Sequence, residues 1–136
     1  MTTGPRSGPA RDTRQQRGAH SEQLALEYLR QQGLALVQQN FRVHRLGEID
    51  LVMRGATRLQ PRLLVFVEVR YRASRRFGGA AASVTPAKQR RLLRAAAAFQ
   101  QSHARYSEWP ARFDVIAVTG KLEKPAFTWI KAAFEC

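Results

Sequence analysis

Cysteine occurs once in this chain, at the last position, Cys136, so neither a disulfide nor a cysteine-based metal site can form within one molecule. A reducing compartment fits that usage. No stretch approaches the ~18 consecutive apolar residues of a membrane-spanning helix, and no apolar signal core follows the basic N-terminus. A protein that neither spans a membrane nor is secreted is expected, hence a cytoplasmic one. The three histidines, His20, His44 and His103, lack metal-ligand spacing, and no Ser/His/Asp or Cys/His triad can be argued. Internal repeats and a phosphate-loop signature are missing as well. Acids are scarce: 10 Asp and Glu stand against 23 Lys and Arg, a formal charge of +13. Such a field favours phosphate-bearing polymers, and nucleic acid is the expected partner. Anionic lipid is the alternative, disfavoured because no amphipathic anchor is evident.

With 136 residues, 44% of them hydrophobic, the chain can bury one respectable core. The first eighteen, MTTGPRSGPARDTRQQRG, are rich in Gly, Pro, Ser, Thr and Arg without apolar period, and read as a disordered basic arm. A single domain is expected over residues 19–136. The arm's composition also resembles an organellar transit peptide, and it could add phosphate affinity; a plain terminus is the preferred reading.

Because acids are so few, the placement of two of them is informative. Gly47-Glu48-Ile49-Asp50-Leu51-Val52 and Val65-Phe66-Val67-Glu68-Val69-Arg70 each set a carboxylate inside a run otherwise fit for burial. An ionised carboxylate there costs several kcal/mol unless compensated, and a metal ion can compensate two at once. The first run predicts a strand from Glu48 to about Arg54, with Ile49, Leu51 and Met53 on one face and Glu48, Asp50 and Val52 on the other. The second, from Leu63 to about Arg72, places Leu63, Val65, Val67 and Val69 opposite Leu64, Phe66, Glu68 and Arg70. Its apolar start predicts a central strand. A short, turn-rich connection makes the two an antiparallel hairpin, bringing Asp50 near Glu68. Glu68 and Arg70, roughly 6.6 Å apart along one face, could reach one phosphate and its metal. Mg²⁺ commonly takes two such carboxylates and completes its shell with water and phosphate.

Upstream, Ser21 to Gln32 predicts an amphipathic helix ended by Gly33, preceding a first strand at Leu34-Ala35-Leu36-Val37. Glu22 falls on that helix's core-facing stripe; an acid that complements the helix dipole and a functional acid are both open readings. Downstream, Thr85-Pro86 reads as an N-cap and first turn of a helix to about Ser102, with Leu92, Leu93, Ala96 and Phe99 as its apolar side. Lys88, Arg90, Arg91 and Arg94 oppose the dipole at that end, which phosphate binding would explain. A solvated basic face is the alternative. The pair Gly78-Gly79 marks a turn, or a place where a backbone approaches closely. A strand follows from Arg112 to Thr119, in which Asp114 is expected to pair with a structural arginine in preference to joining a metal site. Ala126 to Phe134 reads as an edge strand or short terminal helix, with Trp129 in packing or stacked on a base.

The order helix, three strands, helix, strand, with Asp and then Glu-x-Arg on the second and third strands, resembles the restriction-endonuclease-like PD-(D/E)XK superfamily. GAHSEQLALEYLRQQGL, NFR, GEIDLVMR, LVFVEVRYR, FGGAAASVTPAKQRRL and RFDVIAVTG together are similar to the YraN family of endonuclease-like bacterial proteins, distantly related to archaeal Holliday-junction resolvases. The resemblance covers roughly residues 18 to 134. It implies an α/β fold with a restriction-endonuclease-like αβββαβ core, a mixed central sheet flanked by helices. It also implies metal-dependent hydrolysis of DNA phosphodiesters, on branched or junction DNA, with Mg²⁺ or Mn²⁺ held by Asp50 and Glu68. Glu22 corresponds to the helix-borne acid of these nucleases. Arg70 stands where the superfamily usually has lysine; since arginine stays charged, general-base chemistry at that position is in doubt while phosphate clamping is not. Lys88 is a substitute cation, and Arg42, Arg72, Lys88 and Arg91 are the candidate nucleic-acid contacts. A homodimer is expected of a junction-cutting enzyme, which must nick two strands symmetrically. The competing readings are a binding module that keeps the fold without cleavage, and a small RNA- or ribosome-associated protein.

Overall fold

The computed structural model describes residues 14–59, 61–72 and 83–134. The expectations for the basic arm before residue 14 and for Gly78-Gly79 fall outside them. The described chain runs α1 (Arg14–Gln31), β1 (Leu34–Val43), β2 (Gly47–Gly55), β3 (Leu64–Arg72), α2 (Pro86–Ser102), a 3₁₀ turn (Ala104–Tyr106), β4 (Ala111–Thr119) and β5 (Ala126–Phe134). The five strands form one sheet in sequence order. Neighbours are antiparallel except β3 and β4, which lie parallel because α2 carries the chain back between them. This is the αβββαβ core and mixed sheet of the restriction-endonuclease-like fold, with β5 added at the edge.

Period-2 alternation divides the core into two layers. Leu51, Met53, Val65, Val67, Ile116 and Val118 pack under Ala25, Leu26 and Leu29 of α1. Val52, Leu64, Phe66, Phe113 and Val115 pack against Leu92, Ala95, Ala96 and Phe99 of α2. Phe66 and Phe99, both fully buried, meet edge to face at 5.8 Å between ring centroids. The middle strand is thus buried on both faces, as its apolar start predicts.

The ends of α2 follow the sequence reading. Pro86 opens it, and the Thr85 hydroxyl accepts the Lys88 N–H at 3.1 Å. Ala95, not the half-exposed Leu93, completes its buried stripe. The first helix differs: it begins at Arg14, seven residues before the expected start, and enters the segment read as the arm. Ser21 is therefore interior, its hydroxyl donating back to the Gly18 carbonyl at 2.9 Å. Gly33 ends the helix at φ +99°, a conformation open to glycine, where an added Cβ would also meet Thr57 Cγ2 at 2.9 Å. The first strand extends to Val43, well past Val37.

One irregularity in this regular sheet positions the candidate site. In the β1–β2 register Gln39 faces Leu51 and Phe41 faces Ile49, so Asn40 stands opposite Asp50. Asn40 is left-handed at φ +52°, which an asparagine tolerates better than most residues. The alternation of β2 breaks here. Ile49 packs with Val52 on the α2 side, not with Leu51 and Met53 as strict alternation predicts.

Candidate active site

The β2–β3 ladder runs only over Leu51–Arg54 against Leu64–Val67, while β2 remains paired with β1 as far as Gly47. Beyond Leu51 the two central strands therefore part. A strand amide points along the sheet plane toward its neighbour, so the parting deprives β3 of backbone acceptors on that side. The Asp50 carboxylate replaces one: its Oδ2 accepts the Val69 N–H at 2.8 Å. Asp50 consequently stands in the gap of the sheet, where groups from both faces can reach it.

Glu22 approaches from α1. It is half-buried, and its Oε1 accepts from Asn40 Nδ2 at 3.0 Å, so the residue opposite Asp50 also holds the helix-borne acid. Glu68 approaches from β3 and is 4% exposed. Its Oε2 lies 3.0 Å from Lys88 Nζ and 3.4 Å from an Arg70 terminal nitrogen. Three carboxylates and two cations from α1, β2, β3 and α2 thereby meet at the split.

The electrostatics follow from that crowding. Burial pushes the Asp50 carboxyl well above the usual carboxylate range, the negative charges of Glu68 and Glu22 push it further, and the Val69 hydrogen bond opposes them. Partial burial also raises Glu22, against the lowering effect of the Asn40 hydrogen bond. The raised carboxyls of Asp50 and Glu22 both owe part of that rise to the other acids gathered around them.

Beside the acids lies a groove of about 520 Å³ at the β1–β2 turn, lined by Arg42, His44, Arg45, Gly47, Glu48 and Arg91 among others. Arg91 is three residues after Lys88 on α2, so one helix face serves both the acids and the groove. Glu48 accepts from Arg42 at 3.3 Å in a mostly exposed pair. Arg72 is not in the groove; it ends β3, and its Nε, like that of Arg70, is buried without a hydrogen-bond partner among the described residues. An orphaned donor of this kind costs about 1–3 kcal/mol, which a bound anion would relieve.

Asn40, His44 and Arg45 are the site-forming residues that the sequence reading missed. NFR carried Asn40 in plain view, but only the strand register puts it opposite Asp50. Asp114 is structural, as expected: fully buried, it accepts from Arg112 Nε at 3.0 Å, from Trp129 Nε1 at 2.8 Å and from the Ala132 N–H at 2.9 Å. Those bonds tie down a bulge where Ala132 has φ +49°.

Among the described residues no three His, Cys, Asp or Glu side chains converge in metal-holding geometry. Asp50 and Glu68 still offer an oxygen-only donor pair of the kind Mg²⁺ and Mn²⁺ take, since Mg²⁺ needs only one or two carboxylates beside water and phosphate. The ammonium and guanidinium already resting on Glu68 mark a position where positive charge is favourable.

The model of Uncharacterised protein family UPF0102 matches residues 21–118. This chain belongs to the UPF0102 family. UPF0102 protein lpg2994 of Legionella pneumophila is 46% identical over 121 residues, 89% of this chain and 96% of the relative. UPF0102 protein H16_A3579 of Cupriavidus necator is 52% identical over 121 residues, 89% of this chain and 84% of the relative. The UPF0102 match spans α1 from Ser21 through β4 and so contains Glu22, Asp50, Glu68, Arg70 and Lys88. Among its described residues no helix is long and apolar enough to cross a membrane.

Proposed function

We propose that this UPF0102 protein is a metal-dependent endonuclease of the cytoplasm that hydrolyses DNA phosphodiester bonds, with branched DNA as its preferred substrate. The observation that carries the reading is Asp50 set beside Glu68 in the parting of β2 and β3. Like charges gathered this way repel, and a divalent cation bound between them would relieve that repulsion.

Asp50 and Glu68 would hold Mg²⁺ or Mn²⁺, which would neutralise phosphate charge and lower the cost of activating a water. The protein's own groups do the rest. Arg70, charged at every working pH, clamps a phosphate oxygen and offsets charge developing in the transition state; it takes no proton. Lys88 leaves Glu68 to serve the same anion from the α2 side, filling the part a strand lysine would play. Glu22, half-buried with a raised proton affinity, orients the attacking water and receives its proton. Arg42 and Arg91 draw the flanking backbone into the groove, and Arg72 binds at the far end of β3. Two active sites are needed to open a junction, so a homodimer completes the reading.

Purified protein incubated with linear, supercoiled and four-way-junction DNA in Mg²⁺, Mn²⁺ or EDTA tests it. Metal-dependent nicking should be abolished by Asp50→Ala and by Glu68→Ala while binding survives. Cleavage indifferent to both substitutions means a contaminant and ends the assignment. Tight, salt-sensitive binding without cleavage of any substrate leaves a nucleic-acid-binding module, a reading favoured by the two cations that already neutralise Glu68.

A further inference from the structure

At the opposite end of the sheet from the acids, a second basic hollow has no part in the chemistry above. It measures about 430 Å³ and is lined by Arg54, Pro61, Arg62, Arg105 and Trp109. Arg54 lies four residues beyond Asp50 on β2, about 13 Å along the strand. Arg62 precedes β3, and Arg105 and Trp109 come from the turn between α2 and β4. No carboxylate among the described residues pairs with any of the three arginines. Three guanidinium groups around one hollow repel each other, an arrangement that an anion relieves.

The indole is held in place. Gln100 Nε2 donates to the carbonyls of Tyr106 and Trp109 at 2.9 and 3.0 Å, and the Leu64 N–H donates to the Pro110 carbonyl at 2.9 Å. The buried Tyr106 ring abuts Trp109 edge to face at 4.8 Å, and the Arg105 guanidinium lies 5.3 Å from that tyrosine's centroid. Trp109 is nevertheless partly exposed. A fixed indole that packs partly against the core yet lines the hollow beside three arginines combines apolar ring surface with several phosphate donors. That combination suits a nucleotide, with the base on the ring and phosphates on the arginines.

We propose that this hollow binds an unpaired nucleotide of single-stranded nucleic acid. A duplex keeps its bases stacked and paired, and offers the hollow phosphates but no free ring face; a flap, gap or single-stranded arm offers both. The site deepens the proposed function, because it names the substrate feature recognised away from the acids, yet it holds as a binding site whether or not the protein cleaves.

The test is fluorescence anisotropy of full-length protein in EDTA, where no cleavage occurs, with labelled oligothymidylate and a blunt-ended duplex of equal length. Arg62→Ala/Arg105→Ala should weaken single-strand binding roughly tenfold and flatten its salt dependence by about 0.7 per lost contact, with a much smaller effect on the duplex. Trp109→Ala should cost the single strand roughly tenfold or more with its salt slope unchanged. Trp109→Phe, which keeps a ring and the packing against Tyr106, should retain most of the affinity and guards against a fold defect in the alanine variant. A parallel oligouridylate arm tells ribose from deoxyribose, and preference for either supports the site provided Trp109→Ala abolishes it. Equal losses on single strand and duplex, or no loss in either arginine or tryptophan variants, would overturn the proposal. Failure of the nicking assay leaves these results standing, so the two readings fail separately.

Discussion

Lys88 reaches from the first turn of α2 to Glu68 on β3, ammonium to carboxylate at 3.0 Å, and so connects the basic helix face to the acids in the split sheet. A cation near a helix N-terminus is unfavourable for the helix itself. Its place is explained by what it touches. The ammonium holds a carboxylate that is 4% exposed, with Arg70 as that carboxylate's second partner.

Lys88→Ala should lower nicking by about 10² to 10³, the range for removing one preorganised transition-state donor, while Lys88→Arg keeps a measurable fraction. In metal-free protein the alanine variant should be less stable by about 1–3 kcal/mol, because a buried charge loses one of two partners. Urea melts with and without Mg²⁺ check this: the loss should shrink when metal is present. An equal loss in both conditions would place Lys88 outside the metal's surroundings.

Asp50→Asn should stabilise the metal-free protein at neutral and alkaline pH. A carboxyl whose folded pKa is raised contributes stability below its unfolded pKa, and that contribution is lost as pH climbs through the folded value. Asparagine still accepts the Val69 N–H and carries no charge. Thermal melts should therefore show a midpoint a few degrees above wild type at pH 8, at roughly 4 °C per kcal/mol, converging toward pH 4. Mg²⁺ should raise the wild-type midpoint and leave the variant unmoved. A wild-type advantage at pH 8 without metal would contradict the cause given for the raised carboxyl.

Arg42→Ala and Arg91→Ala should each reduce the slope of log affinity against log salt by about 0.9 on duplex DNA, one phosphate contact apiece. Both line the groove beside the acids. Anisotropy titrations between low and physiological salt measure it, and an unchanged slope removes that residue from the interface.

Asp114→Ala should cost about 3–5 kcal/mol in urea denaturation, because it leaves Arg112, the Trp129 indole N–H and the Ala132 amide without their shared acceptor. Whatever nicking the folded fraction shows should be unchanged per folded molecule. A loss of nicking with stability intact would move Asp114 into the catalytic machinery.

Much of the fold was legible because its signals are local. The Thr85-Pro86 start of α2, the Gly33 end of α1 and the two-sided burial of β3 rest on capping chemistry, a left-handed glycine and an apolar run, each readable in a few consecutive residues. The early start of α1 escaped for the complementary reason. Arg14, Gln15, Gln16 and Arg17 are adequate helix formers with no apolar period to announce them.

The candidate site divides along the same line. Sequence alone determined that Asp50 and Glu68 lie in strands fit for burial, that Glu68 and Arg70 share a face and that Glu22 rides a core-facing helix stripe, since strand and helix periods fix these relations over short spans. The expected hairpin also put Asp50 near Glu68, but only tertiary structure decided how the acids meet. The β2–β3 ladder stops after Leu51, Asn40 takes a left-handed turn opposite Asp50, and Asp50 captures the Val69 amide released by the parting. Lys88 arrives from α2, twenty residues further along the chain than Glu68, because the crossover that makes β3 and β4 parallel lays that helix against the sheet. Alternation assumes an unbroken ladder and says nothing of where strands separate. The candidate site gathers at that separation, where backbone groups lose their strand partners and side chains must satisfy them.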